Sequence, residues 1–396
     1  MSTYLVNAAA LGNLAAFYYY AYTPMQLPVG LLLDRYGPRK ILSLACGCCV
    51  LGTYWFASTD TLMLAQLGRF LTGLGSAFAF IGVLKLATIW LPPERFGLVA
   101  GLTAALGTVG AMIGDDVMSY SVQVIGWRHT LTWAVVVGVL LSVLIYIYVR
   151  DNKHHSIHDK RKAMATANIN WHGILEILKN PQMWIVGAMG CFIYLPTTVL
   201  GEMWGIPYLR SARHFTHMHA AFAVSFLFLG FTIGAPLWGY LSDRFHTRKL
   251  PFIFGSFFAL VASLLLIYLH HLNFALASVL LFILGLSYSV QSLVFALANE
   301  HSPPRLAATS MAVTNMFVML GGMLLQPLVG ILLQLNEKVI PVVGHVHVYT
   351  NYAYSHALLV LPVGLVLCGF LSFILKETGG RPQYPRNFRF PPHHHK

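Results

Sequence analysis

Charge is the scarcest ingredient of this sequence. Of its 396 residues only 10% are Asp, Glu, Lys or Arg, only 13 are acidic, and 57% are hydrophobic. A soluble chain of this length buries its apolar residues in a core and covers that core with charge, and here there is too little charge for the covering. Cysteine is scarce too: Cys46, Cys48, Cys49, Cys191 and Cys368 all sit inside apolar runs. They lack paired spacing and histidine partners, which argues against a disulfide framework and a zinc site. His393, His394 and His395 read as a solvated tail. The sequence offers no nucleophile elbow and no phosphate-binding glycine loop, so neither enzyme chemistry nor a metal or cofactor is expected.

What the chain does have is apolar length. Eleven apolar runs lie between residues 8 and 375, each near the roughly 20 residues that cross a bilayer. The first reads as a spanning segment, not a cleavable leader. The fold class expected is an all-α polytopic membrane protein with about 11 transmembrane helices and the lipid bilayer as its solvent. A net charge of +12 could suggest nucleic acid, but the bases are placed by topology. Alternating the loops from face to face puts 19 of the 25 Lys and Arg on one side. Only Arg128, Arg210, Arg213 and Lys338 fall on the other, with Arg69 and Lys85 inside apolar runs. That asymmetry marks the crowded side, which includes the C-terminus, as cytoplasmic, and predicts a plasma (inner) membrane protein that binds no nucleic acid.

A charged knot occurs twice. GLLLDRYGPRK fills 30–40 and GYLSDRFHTRK fills 239–249, which aligns Gly30 with Gly239, Asp34 with Asp243, Arg35 with Arg244 and Arg39 with Arg248. Two apolar runs later a second echo pairs PPER at 92–95 with PPR at 303–305. Two landmarks at nearly one spacing predict duplicated halves: residues 1–150 and 181–376, joined by a linker at 151–180 and followed by a tail at 377–396. The end of the linker spaces Trp171, Ile174, Leu175 and Leu178 like one face of a surface helix.

The knot resembles G-x-x-x-D-R-x-G-x-R-[RK], the loop signature of the major facilitator superfamily. The first copy fits at every fixed position, and the second has His246 where the pattern has Gly. RFLTGLGSA, at 69–77, resembles that family's fourth-helix R-x-x-x-G-x-G motif. The resemblance covers essentially the whole chain and implies two six-helix bundles that alternate access to a central site. In that plan the knot follows the second helix, whereas here it follows the first apolar run, so the family's first helix is expected to be missing. A truncated start is the expectation, with an eleven-helix protein as the alternative. The resemblance also implies a role for the knots. Gly30, Asp34, Arg35 and Arg39, mirrored by Asp243, Arg244 and Arg248, would form an ionic latch between the halves, made in one conformation and broken in the other.

Ionisable groups at membrane depth are costly and therefore functional candidates. They are Arg69, Lys85, Asp115, Asp116 and Glu202. Arg69 and the two aspartates share a depth on neighbouring helices, which predicts an ion pair between Arg69 and one aspartate; it either carries a proton or only fixes the packing. Glu202, in GEMWGIPYL on a helix that lines the family's central cavity, is the expected proton carrier, with Trp204 as part of an aromatic lid. Lys85 reads equally as an anchor or a substrate ligand, and Gln66 and Gln291 are weaker polar candidates. The fifth-helix antiporter pattern of the family lacks its proline here. The expected function is therefore a proton-coupled secondary transporter, acting as a monomer on a small organic anion or zwitterion such as a short peptide. Proton-antiport export of drugs or siderophores, or a non-transporting receptor or scaffold, are the alternatives.

Overall fold

The computed structural model describes residues 7–90, 96–150, 171–269, 271–303, 306–336 and 349–380, and all regular structure among them is helical. The chain order is α1 (Ala8–Tyr36), α2 (Pro38–Ser58), α3 (Leu62–Trp90), α4 (Phe96–Ile125), α5 (Trp127–Tyr148), α6 (Trp171–Lys179) and α7 (Pro181–Ile193). A π-helical segment (Pro196–Trp204) then leads into α8 (Gly205–Ser211). There follow α9 (His217–Arg244), α10 (Lys249–Tyr268), α11 (Phe274–Tyr288), a 3₁₀ turn (Ser289–Ser292), α12 (Leu293–Glu300), α13 (Ala307–Leu335), α14 (Asn351–Ala357) and α15 (Val360–Ile374).

Local chemistry sets the boundaries. Asn7, Asn180, Thr216, Asn273 and Thr350 cap α1, α7, α9, α11 and α14 by accepting from the amides two or three residues on, which satisfies donors a helix start leaves open. Gly37, at φ 83°, divides α1 from α2, and Pro38 occupies the first position of α2, where its missing N–H costs nothing. The first knot is thus mostly helix: Gly30, Asp34 and Arg35 lie within α1 and only one residue forms the corner. In the second copy His246 stands at the position of Gly37 and likewise has a positive φ, of 51°, but the corner is longer, with four residues between Arg244 and Lys249.

Among the described residues nine helical stretches are long and apolar enough to cross a membrane. The two remaining runs are α1 and α4, of 29 and 30 residues. The protein is an all-helical, multi-pass membrane protein. α5 turns Val136, Val137, Leu140 and Val143 outward, an apolar surface suited to lipid. α1, α2, α3 and α5 pack on one another with α4 against α3 and α5, and α7, α9, α10, α11, α13 and α15 form a second group. Two seams join them, α1 against α13 and α4 against α9. The first seam is close because small residues sit in it: a Cβ on Gly330 would strike the Ala8 carbonyl, and one on Gly322 the Tyr19 ring.

The surface helix α6 differs slightly from its expected face. Ile174 and Ile177 are buried and Leu175 is exposed, because α6 packs on α7 and α13 through the Ile174–Ile177–Leu178 side. At the end opposite the knots, Arg213 donates to the carbonyls of Leu266, Ile267 and Leu269 and to the Tyr208 hydroxyl, capping α10 where its carbonyls lack partners.

Candidate functional site

The backbone that carries Glu202 is not α-helical. Pro196 begins a π-helical stretch of nine residues that ends at Trp204, a geometry that turns side chains off the regular helical stripe and recurs at functional sites. Here it turns Glu202 toward α1 and α13. The Tyr19 hydroxyl donates to Glu202 Oε2. Gln326 Nε2 donates to the same oxygen at 3.3 Å and to the Thr198 carbonyl at 2.8 Å. Trp204 is fully buried and donates to the Gln326 carbonyl at 3.2 Å. It therefore holds the backbone of Gln326 from behind, where the sequence suggested a hinge or an aromatic lid.

Glu202 is a wall shared by two cavities. One, of about 500 Å³, is also lined by Arg69, Tyr18, Tyr19, Thr53, Thr72 and Gln326. The Arg69 guanidinium sits 5.2 Å from the centre of the Tyr18 ring, an attraction that is stronger away from water. The other, of about 420 Å³, lies between the two groups of helices and includes Tyr22, Tyr194, Phe231, Tyr288, Gln291 and Asn315. A cation, a carboxylate and two phenols thus converge on one internal space. Among the described residues no cluster of His, Cys, Asp and Glu could hold a metal ion.

The expected pairing of Arg69 with Asp116 is not what this arrangement contains. Asp116 accepts from Ser225 of α9 at 3.1 Å, and two turns earlier Thr108 bonds Thr232 at 2.7 Å. The reason is packing: α4 lies mainly on α9, so its polar stripe serves the seam, and Arg69 on α3 faces Glu202 across the cavity. The Asp115 side chain lies outside the described residues. Gln291 lines the second cavity, whereas Gln66 and Lys85 line neither of these two.

The latch residues separate in a similar way. The side chains of Gly30's neighbours in the motif, Asp34 and Arg35, lie outside the described residues, as does the setting of Gly30. Arg39 donates to the Tyr146 carbonyl of α5 at 2.7 Å and covers that tyrosine's ring. Arg248 bonds Asp243 at 2.8 Å and Glu300, on α12, at 2.8 Å. Where a latch between halves was expected, the bonds described for both arginines stay among their own helices, and Arg244 is exposed. Glu300 was missed in the sequence because it ends an apolar run as an ordinary boundary charge would.

Glu377 completes this second cluster. Partial burial alone would raise its pKa. The amides of Lys249, Gly379 and Arg248 and the Thr247 hydroxyl outweigh that and hold the carboxyl at about 2. Thr378 meanwhile donates to Glu300 at 2.5 Å.

Ionisable groups gathered on a cavity within a bundle of apolar helices define a polytopic membrane protein with a polar site inside it. The chain belongs to the Major Facilitator Superfamily, whose model matches residues 1–325. It is similar to a probable sulfoacetate transporter of Cupriavidus necator, 24% identical over 61% of this chain and 58% of the relative. It is also similar to a probable galactarate/D-glucarate transporter of Escherichia coli, 21% identical over 95% of this chain and 89% of that one. The chain therefore spans under two thirds of the first relative's length. Among solved structures, an inward-facing, unoccupied bacterial homologue of the human lysosomal transporter Spinster shares the fold. Its TM-score is 0.77 at 17% identity, with 94% of this chain and 90% of that chain covered.

Proposed function

We propose that this protein is a proton-coupled secondary transporter of a small organic anion, acting by alternating access. The observation that carries the reading is that Arg69 and Glu202 share one cavity. Arginine stays charged under all working conditions, so it can read an anion but cannot carry a proton. A carboxylate can do both jobs in turn. While ionised, Glu202 balances Arg69. When it takes up a proton that balance is removed, and a solute carboxylate, sulfonate or phosphate can take its place beside the guanidinium. Loading thus requires solute and proton together. Tyr19 and Gln326 hold the Glu202 carboxyl whichever of its states is present, since both phenol and amide can exchange donor and acceptor roles.

The two relatives above are named as probable transporters of sulfoacetate and of galactarate/D-glucarate, all anions, which favours an anion over a short peptide. The two seams, α1–α13 and α4–α9, are the natural places for the two groups of helices to rock. The distribution of bases favours a cytoplasmic C-terminus in a plasma membrane, and a monomer suffices because one chain builds the cavity.

The test uses the full chain in proteoliposomes. Glu202→Gln keeps substrate exchange and loses accumulation driven by a pH gradient, while Arg69→Gln loses binding. If Glu202→Gln still concentrates solute under a proton gradient, coupling lies elsewhere, with Asp115 and Asp116 the next carboxylates to examine. Absence of any saturable uptake by the unaltered protein would favour a receptor or scaffold.

A further inference from the structure

The cavity between the two groups of helices has a chemistry that the reading above leaves unused. Its wall carries the rings of Phe80, Tyr194, Phe228, Phe231, Tyr288 and Phe295. Phe231 and Tyr194 lie 5.3 and 6.4 Å, centre to centre, from Tyr288. Several of the polar groups there are already bonded, to one another or to residues behind the wall. Thr108 bonds Thr232 at 2.7 Å, Thr197 donates to the Tyr288 hydroxyl at 2.6 Å, and Asn315 donates to Gln26 at 2.9 Å. Among the described residues that line it there is no Lys, Arg or His, and the one ionisable acid is Glu202. A solute covered with hydroxyls would lose its hydration here and find few donors or acceptors in exchange. A flat apolar body would find ring faces and edges on several sides. At about 420 Å³ the space is near the small end of ligand pockets, which run from about 300 to 1,000 Å³.

We infer that the solute is an amphipathic organic acid, its anionic group held beside Arg69 and its aromatic or branched apolar body held in the ring-lined cavity beyond Glu202. The inference rests on the anion reading of Arg69 proposed above and specifies the substrate class that reading leaves open. Glu202, as the wall common to both cavities, sits at the junction between head and body, where its protonation removes the negative charge beside the apolar body. Polyhydroxylated acids such as the galactarate and glucarate in the names of relatives fit the charged cavity but not the second one.

The experiment measures binding of three probes to the full-length protein in detergent by calorimetry: phenylacetate, D-glucarate and phenethylamine. Phenylacetate should bind at least about tenfold tighter than D-glucarate, the worth of burying a small apolar group in a fitted site, and phenethylamine weakest. Phe231→Leu, which keeps an apolar side chain, and Phe231→Ala should weaken phenylacetate progressively while leaving D-glucarate within about twofold. Arg69→Gln should abolish binding of both acids. If D-glucarate binds as tightly as phenylacetate or tighter, the substrate class is wrong and the transporter of anions stands. If phenethylamine binds tightest, or if neither acid binds, Arg69 does not read an anion and both proposals fall. Phenylacetate binding that is indifferent to Phe231 would put the ring elsewhere and overturn the role of this cavity.

Discussion

The two charged knots share Asp, Arg and Lys at matching positions, yet their arginines are used differently. Arg39 lies partly exposed on α5, bonded to a backbone carbonyl and stacked on Tyr146. Arg248 is 6% exposed and sits between two carboxylates, Asp243 and Glu300, with the Ser242 hydroxyl as a further acceptor. The difference begins outside the motif. Glu300 lies three residues before Pro303, and the residue three before Pro92 is Ile89. The second copy has also acquired Glu377 and Thr378 from beyond α15. A repeated motif therefore fixes where charges stand, and the elements that later arrive beside it decide what they do.

The comparison can be broken most directly by removing each arginine. Arg248→Ala leaves the buried Glu300 carboxylate without its cation and should destabilise the protein by about 3–5 kcal/mol, and Glu300→Ala should cost less because Asp243 remains beside Arg248. Arg39→Ala should cost under about 1 kcal/mol, as exposed charge contacts do. Thermal unfolding in one detergent checks both, and equal losses would erase the distinction. Arg248→Met combined with Glu300→Leu should be milder than either single removal.

A smaller effect distinguishes the knots by pH. Glu377 has its carboxyl held at about 2 against an ordinary 4.5, so its stabilisation is complete above pH 4.5 and fades as pH falls toward 2. Glu377→Gln should remove the strongest acceptor for the amides of Arg248 and Lys249, costing about 1–2 kcal/mol at neutral pH. The variant's melting temperature should then fall less than the unaltered protein's between pH 4.5 and 2. Parallel curves would show that the Glu377 carboxylate contributes nothing to folding.

The smallest effect concerns the corner. His246 holds a positive φ that Gly37 adopts without a side-chain clash. His246→Gly should raise stability by about 0.5–1 kcal/mol, strain relief less the added freedom of the unfolded chain. A loss on this substitution would mean that the imidazole makes a compensating contact.

The apolar runs and the repeat made the helices legible, because lipid leaves so few alternatives for a backbone. Glu202 and Arg69 were legible for the same reason: a charge inside an apolar run stands out. Their companions did not. Tyr19 is one of four tyrosines wrapped around a single helix, and nothing local says which of them points inward. Gln326 is a neutral amide that meets Glu202 only once α13 has packed on the π-helical segment. Of the two aspartates expected to pair with Arg69, Asp116 bonds Ser225 instead, because shared depth is not contact. Depth can be counted along a helix, but the azimuth is set by neighbours, and α4 turned toward Ser225 on α9.

The π-helical turn at Pro196–Trp204 has one more implication. A wider turn takes up an additional residue, so the direction of Glu202 depends on how many residues precede it. Deleting one of them should return the segment to ordinary helix and redirect the carboxylate by up to about 100°, with Glu202, Tyr19 and Gln326 all still present. The site is thus encoded in chain length as well as in composition, and the loss of a single codon could retire it as completely as the loss of the acid itself.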